Sequence, residues 1–110
     1  MNVISSTPVE RASALETLIR QNADQGDREC RLPAEVAEAL SANGLYRIGA
    51  PLAYGGEEAS PQTQIETIET ISRFDGSVGW NLMIGIENFG LIAPGCGSCK
   101  QMLEDPKVIL

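Results

Sequence analysis

Histidine is absent from the chain of 110 residues, and basic side chains are few, with 8 Lys and Arg against 15 Asp and Glu. Without histidine, no Ser-His or Cys-His nucleophile pair is possible. The net charge of −7 argues against nucleic acid and anionic membrane surfaces as partners, because both are bound through basic patches. No apolar run approaches the roughly 18 residues of a membrane-spanning helix, so the sequence predicts no membrane span.

Cysteine is also scarce. Three cysteines, an odd number, do not suit the disulfide framework of a small secreted protein. Residues 1–6 lack the basic region and the apolar core of a signal peptide. The sequence therefore predicts a cytoplasmic protein with reduced thiols. A length of 110 residues leaves room for one domain, and the apolar content of 43% is enough for a core.

Capped, periodic segments predict an all-α domain, a bundle of helices with almost no strand. Thr7, Pro8 and Glu10 form a capping box with proline at the first helical position. Ser60 precedes proline in the same way before a later helix, and Gly44 supplies the left-handed residue that ends another. Helices are predicted at about residues 8–24, 33–43, 61–75, 78–92 and 98–104.

The helix at 61–75 has the pattern of one buried face. Spacings of three and four residues predict that its buried stripe consists of Ile65, Ile68, Ile71 and Phe74. Asp75-Gly76 is predicted to stop this helix, and Ser77 to cap the next one.

The helix at 78–92 is apolar nearly all round, which predicts that it is covered on several sides or lacks a neighbour. On pattern alone, Trp80 and Met83 are core residues. Glu87 is the polar exception. It is predicted to face water or a partner near the helix edge, and the alternative is a buried carboxylate that serves as an acid or base.

Two short motifs carry competing interpretations. Gly55-Gly56 is predicted to be a tight turn, because no phosphate-binding glycine pattern surrounds it. Cys96 and Cys99 form a C-x-x-C pair at the start of a predicted helix, where redox chemistry or zinc binding is conceivable. A thioredoxin-like site lacks its preceding strand, and a zinc site lacks further ligands, since Cys30 is the one remaining thiol. Coincidence is the favoured interpretation.

The order of these motifs resembles the N-terminal helical domain of the acyl-CoA dehydrogenase superfamily of flavoproteins. The resemblance covers about residues 8–110, nearly all of the chain. It runs through Leu32-Pro33, Leu52-Ala53-Tyr54-Gly55-Gly56-Glu57-Glu58, Asp75-Gly76-Ser77-Val78-Gly79-Trp80 and Lys100-Gln101-Met102-Leu103. Within the superfamily, the Gly79-Trp80 pair is more similar to the flavin-dependent hydroxylase branch than to the typical dehydrogenases.

The resemblance implies that the chain is about a third of a longer enzyme. A β-rich middle domain and a C-terminal helical bundle are expected to follow, with FAD or FMN mainly between them. The apolar end at Val108, Ile109 and Leu110 agrees with a chain that continues. The fragment alone is expected to bind no flavin, to be inactive and to hold no catalytic residue.

The resemblance also places the helix at 78–92 beside the substrate cavity. It implies that the pocket is lined by Val78, Trp80, Met83 and Glu87. A dehydrogenase would pass a hydride from an acyl-CoA to FAD. A hydroxylase would take reduced flavin from a separate reductase and use oxygen to hydroxylate an aromatic substrate. Either enzyme is expected to be a homo-oligomer. Two other classes stay open: a non-catalytic helical interaction module, and a small C-x-x-C redox or metal protein.

Overall fold

The structure, a computed structural model, describes residues 7–91. Within that range the chain forms six α-helices and two 3₁₀ turns, and no residue lies in a strand. The helices are α1 (Pro8–Ser13), α2 (Glu16–Gln21), α3 (Ala23–Glu29), α4 (Ala34–Ala42), α5 (Pro61–Phe74) and α6 (Gly76–Leu91). The 3₁₀ turns are Leu45–Arg47 and Leu52–Tyr54. The all-α fold is confirmed for this range, and the helix predicted at 98–104 lies outside it.

The local signals for helix ends are confirmed. Thr7 Oγ1 accepts a hydrogen bond of 3.1 Å from the backbone N–H of Glu10, at the start of α1. Ser60 Oγ accepts one of 3.2 Å from the N–H of Thr63, at the start of α5. Gly44 follows α4 with a φ of 68°, in the left-handed region that costs glycine least.

The prediction of one continuous helix at 8–24 is wrong, because the segment is divided into α1, α2 and α3. At the first break, the Leu15 N–H donates to the Ala12 carbonyl three residues earlier. At the second, the Asn22 side-chain amide donates to the Leu18 carbonyl at 2.8 Å. Such local side-chain bonds compete with the backbone ladder of a helix. The helical path nevertheless continues past the predicted end, through α3.

The buried face of α5 also differs from the prediction. Ile71 is fully buried, but Ile65 is 64% exposed. Thr67 and Thr70 are buried in its place, and their hydroxyls donate to the backbone carbonyls of the residues four positions earlier at 2.8 Å. With the hydroxyls satisfied inside the helix, the threonine methyl groups can face the core. Ile68 and Phe74 are half-buried against that core.

The core forms where α6 packs against α5 and the first 3₁₀ turn, while α1 packs against α5 from another side. The largest fully buried apolar side chains are Phe89, Ile19, Leu40, Leu45, Ile48, Ile71 and Leu82. Helix α5 therefore contacts α1, α2 and α6, whereas α6 packs mainly against α5 and the first 3₁₀ turn, and part of its circumference is left uncovered.

The start of α6 corrects the predicted role of Ser77. The helix begins at Gly76, two residues before the predicted start at 78, and Asp75 alone separates it from α5. An Asp75 carboxylate oxygen accepts hydrogen bonds from the Ser77 backbone N–H at 2.9 Å and from the Ser77 hydroxyl at 2.7 Å. The Asp75 carbonyl accepts the first backbone bond of the helix, from Gly79. Asp75 is therefore the capping residue, and its negative charge suits the positive end of the helix dipole.

Candidate functional site

One face of α6 is left uncovered by the described residues. Its buried face carries Val78, Leu82, Ile86 and Phe89. On another face, Trp80 is 64% exposed and Ile84 is 40% exposed. Met83 is half-buried and Glu87 is exposed. These four residues have helical spacings of three and four, so they form one surface, here called the α6 stripe: Trp80, Met83, Ile84 and Glu87.

The α6 stripe contains three of the four pocket residues predicted from the sequence. Val78 is the exception, since it is only 4% exposed and lies on the buried face. Ile84 was not predicted, although its spacing from Trp80 would have identified it. The interpretation of Trp80 as a core residue is wrong, because most of its surface is accessible. Glu87 faces solvent, as predicted.

Two glycines let α6 approach its neighbours closely enough to set the position of the stripe. A Cβ at Gly79 would overlap Ser72 Oγ and lie 2.9 Å from Ser72 Cα on α5. A Cβ at Gly85 would overlap Tyr46 Cδ1 and lie 2.7 Å from Tyr46 Cε1. Both distances are shorter than carbon atoms tolerate, so these positions require glycine for contact rather than for backbone conformation.

A buried tyrosine supports α6 beside the stripe. Tyr46 is 3% exposed, and its hydroxyl donates to Asn81 Oδ1 at 2.7 Å. Burial raises the pKa of the Tyr46 hydroxyl to about 12, because the phenolate would lose its solvation. Tyr46 therefore stays neutral and keeps its donor hydrogen through the physiological range.

The raised pKa predicts a loss of stability in alkaline solution. The pKa of the folded state lies above the ordinary value of 10.0, so the contribution of Tyr46 is complete below about pH 10. Above that pH the unfolded chain releases the proton first, and the free energy of unfolding should fall by up to about 1.4 kcal/mol per pH unit until about pH 12. Urea unfolding of the wild type and Tyr46→Phe measures this component. The difference in free energy of unfolding between the two proteins should narrow above about pH 10. A constant difference would contradict the raised pKa of Tyr46.

A shallow cavity of about 340 Å³ adjoins Trp80. One wall comes from the end of α3 and the connection to α4, including Asp27 and Arg31. The other wall comes from the start of α6, where Asp75, Trp80 and Asn81 take part. The cavity thus combines an exposed indole ring, a side-chain amide and charges of both signs. The cavity therefore offers an aromatic surface and a few polar groups that a small molecule could contact.

The Gly55-Gly56 turn is closely packed, and the described residues hold no cluster of metal ligands. Gly56 is buried, and a Cβ there would overlap the Ala50 carbonyl oxygen and lie 2.5 Å from Ala50 Cβ. The Gly55-Gly56 turn is thus packed against its own loop and leaves no space for a phosphate, which confirms the turn interpretation. Residues 7–91 bring together no group of three or more potential metal ligands.

The described residues test the predictions about thiols and membrane spans only in part. Cys96 and Cys99 lie outside the described residues, whereas Cys30 is an exposed thiol outside any disulfide. Between residues 7 and 91, no helix combines the length and the apolarity that crossing a membrane requires.

The fold and the α6 motif agree with a comparison to known families. The family described as acyl-CoA dehydrogenase, N-terminal domain, matches residues 10–97. Because this match spans most of the chain, the protein belongs to that family, and the resemblance inferred from the motifs is confirmed.

Among characterised relatives, an indole-3-acetate monooxygenase from Acinetobacter baumannii is 39% identical over 85 residues, covering 76% of this chain and 21% of the relative. The oxygenase subunit HsaA of a flavin-dependent monooxygenase from Rhodococcus jostii is 30% identical over 84 residues, covering 76% of this chain and 22% of the relative. A 3-(aryl)acrylate reductase from Clostridium sporogenes is 33% identical over 64 residues, covering 58% of this chain and 17% of the relative. The matches thus span about a fifth of the length of these relatives. No solved structure matches the chain.

Proposed function

We propose that this chain is the N-terminal domain of a flavin-dependent monooxygenase, in which the α6 stripe forms one wall of the pocket for an aromatic substrate. The observation that carries the proposal is the 64% exposure of Trp80 on a helix whose other large aromatic, Phe89, is fully buried. Trp80, Met83 and Ile84 together form an apolar patch, and such patches on a protein surface often mark sites that a ligand or partner covers. The names of the monooxygenase relatives support an aromatic ligand and a flavin.

Each member of the site has a role in this proposal. Trp80 offers a flat ring against which a second aromatic ring can stack. Met83 supplies a flexible apolar surface that adapts to the substrate. Val78 closes the inner side of the cavity, and Glu87 marks the polar edge of the stripe.

The remaining parts of the enzyme belong to the same proposal. In this proposal, FAD or FMN is held mainly by parts of the enzyme outside residues 7–91. A separate flavin reductase supplies reduced flavin, and the enzyme assembles as a homo-oligomer in the cytoplasm. When bound, the flavin supplies the oxygen chemistry, and this domain shapes and shields the substrate side of the site.

Dehydrogenase or reductase chemistry is the second candidate, and the relative named as a 3-(aryl)acrylate reductase favours it. One experiment on the enzyme expressed from its full reading frame distinguishes the two chemistries. A monooxygenase given reduced flavin, oxygen and an aromatic substrate forms a hydroxylated product. A dehydrogenase of this superfamily instead bleaches its bound FAD when given an acyl-CoA. If neither reaction occurs and no flavin binds, a non-catalytic interaction module becomes the better interpretation.

The role of Trp80 predicts a specific kinetic defect. In the full-length enzyme, Trp80→Ala should lower kcat/KM for the aromatic substrate by roughly tenfold or more, because the stacking surface is lost. Ile65→Ala is the matched control, since Ile65 is also 64% exposed but lies on α5. It should leave kcat/KM unchanged. Equal effects of both substitutions would contradict a pocket role for the α6 stripe.

A further inference from the structure

The side-chain amide of Asn81 lines the Trp80 cavity and carries a donor group that no described residue of the protein engages. Asn81 Oδ1 accepts the hydrogen bond from the Tyr46 hydroxyl. A side-chain amide carries one acceptor oxygen and an NH₂ group with two donor hydrogens. Among residues 7–91, the structure gives Asn81 Nδ2 no hydrogen-bond partner. Asn81 is exposed and lines the cavity together with Trp80.

The hydrogen bond from Tyr46 fixes the orientation of the Asn81 amide. Tyr46 is 3% exposed, and its ring packs so closely against Gly85 that a Cβ at that glycine would overlap it. The hydroxyl of a buried tyrosine needs a hydrogen-bond partner. By donating to Asn81 Oδ1, Tyr46 keeps the oxygen directed inward. Because the amide is planar, Nδ2 must then point away from Tyr46.

The charges around the cavity restrict what Nδ2 can bind. Asp27 and Asp75 contribute carboxylates to the lining, and Arg31 contributes one guanidinium. The Arg31 guanidinium is itself paired with Glu29, with 3.6 Å between Nε and Oε1. Two carboxylates against one paired cation disfavour an anionic ligand. A neutral acceptor oxygen fits the donor without this repulsion.

We infer that Asn81 determines specificity by donating a hydrogen bond from Nδ2 to a neutral acceptor oxygen of an aromatic ligand that stacks on Trp80. The ligand class is an aromatic ketone, amide or phenol. Tyr46 is a positioning residue, because it acts through Asn81 and touches no ligand atom. The inference rests on the proposed function, which places an aromatic ligand at Trp80.

Protein-observed NMR titration of this chain tests the inference. Trp80 is the one tryptophan of the sequence, so its indole N–H signal reports on the site without ambiguity. Three probes of similar size are compared: acetophenone carries a neutral acceptor, ethylbenzene carries none, and benzoate carries a negative charge. Acetophenone should bind most tightly, and it should shift both the Trp80 indole signal and the Asn81 side-chain NH₂ signal.

Three substitutions separate the hydrogen bond from the apolar surface. Asn81→Leu should weaken acetophenone binding roughly fivefold, as expected for one neutral hydrogen bond, and leave ethylbenzene binding unchanged. Tyr46→Phe keeps the ring and removes the hydroxyl, so it should also weaken acetophenone binding relative to ethylbenzene binding. A merely structural role of Tyr46 would weaken both probes equally. Trp80→Ala, followed through backbone signals, should weaken all three probes.

The outcomes distinguish this inference from the proposed function. If Trp80→Ala weakens every probe but Asn81→Leu changes none, the inference fails and the aromatic site stands. If benzoate binds more tightly than acetophenone, the neutral-acceptor assignment is wrong. If no aromatic probe shifts the Trp80 signal, the inference fails, whereas the proposed pocket is tested separately by the kinetics of Trp80→Ala in the full-length enzyme.

Discussion

Replacing Phe89 by alanine is expected to lower the free energy of unfolding by roughly 3–5 kcal/mol, the usual cost of removing a large buried aromatic side chain. Phe89 is fully buried at the centre of the domain. The Arg47 guanidinium lies 5.0 Å from the centre of its ring, so the substitution also removes a cation–π contact from a buried arginine. Urea unfolding followed by circular dichroism measures the change.

Trp80→Ala is the matched control on the same helix. Although tryptophan is the larger residue, its 64% exposure predicts a cost below about 1 kcal/mol. Phe89→Ala should therefore destabilise the domain more than Trp80→Ala, the reverse of the order expected from side-chain size alone. A large cost for Trp80→Ala together with a small cost for Phe89→Ala would mean that α6 is rotated relative to its position in this structure.

The starts of α1 and α5 were predictable because their causes are local. Thr7 and Ser60 each cap a backbone N–H three residues later, so the interaction is visible within four positions of sequence. Gly44 is equally local, since a left-handed residue after a helix favours glycine wherever the rest of the chain lies.

The buried faces were harder to predict because they depend on what packs against each helix. The pattern of α5 favoured Ile65 as a core residue, but the neighbours of α5 cover the side that carries Thr67. Threonine is ambiguous in such a pattern, since its methyl group suits a core only when its hydroxyl is satisfied. The exposure of Trp80 has the same origin: apolarity all round α6 did not specify which face stays uncovered.

The site was predictable only in part for a related reason. Trp80, Met83 and Glu87 were placed near one another by helical spacing and by the family resemblance. The bond between Tyr46 and Asn81 joins residues 35 positions apart. No periodicity or short motif connects two such positions, so a tertiary contact of this kind appears first in the folded structure.

The close contact between α5 and α6 predicts a strong effect at Gly79. Gly79→Ala is expected to destabilise the domain by about 1–3 kcal/mol, the typical cost of inserting a methyl group into a filled space. The new Cβ would meet Ser72 Oγ, and it would also lie 2.9 Å from Ser72 Cα, which belongs to the backbone of α5. Rotation of the Ser72 side chain therefore cannot relieve the overlap, and the two helices must separate.

Gly76→Ala provides the control three residues earlier, because a Cβ at Gly76 would have no atom within 4 Å. Alanine there should be neutral or stabilising by up to about 1 kcal/mol, since it restricts the unfolded chain and favours the helix. Separation of α5 and α6 should also move Trp80, so Gly79→Ala should shift its fluorescence maximum, whereas Gly76→Ala should not. If the two variants unfold at the same urea concentration, the helices do not approach each other as closely as the structure shows.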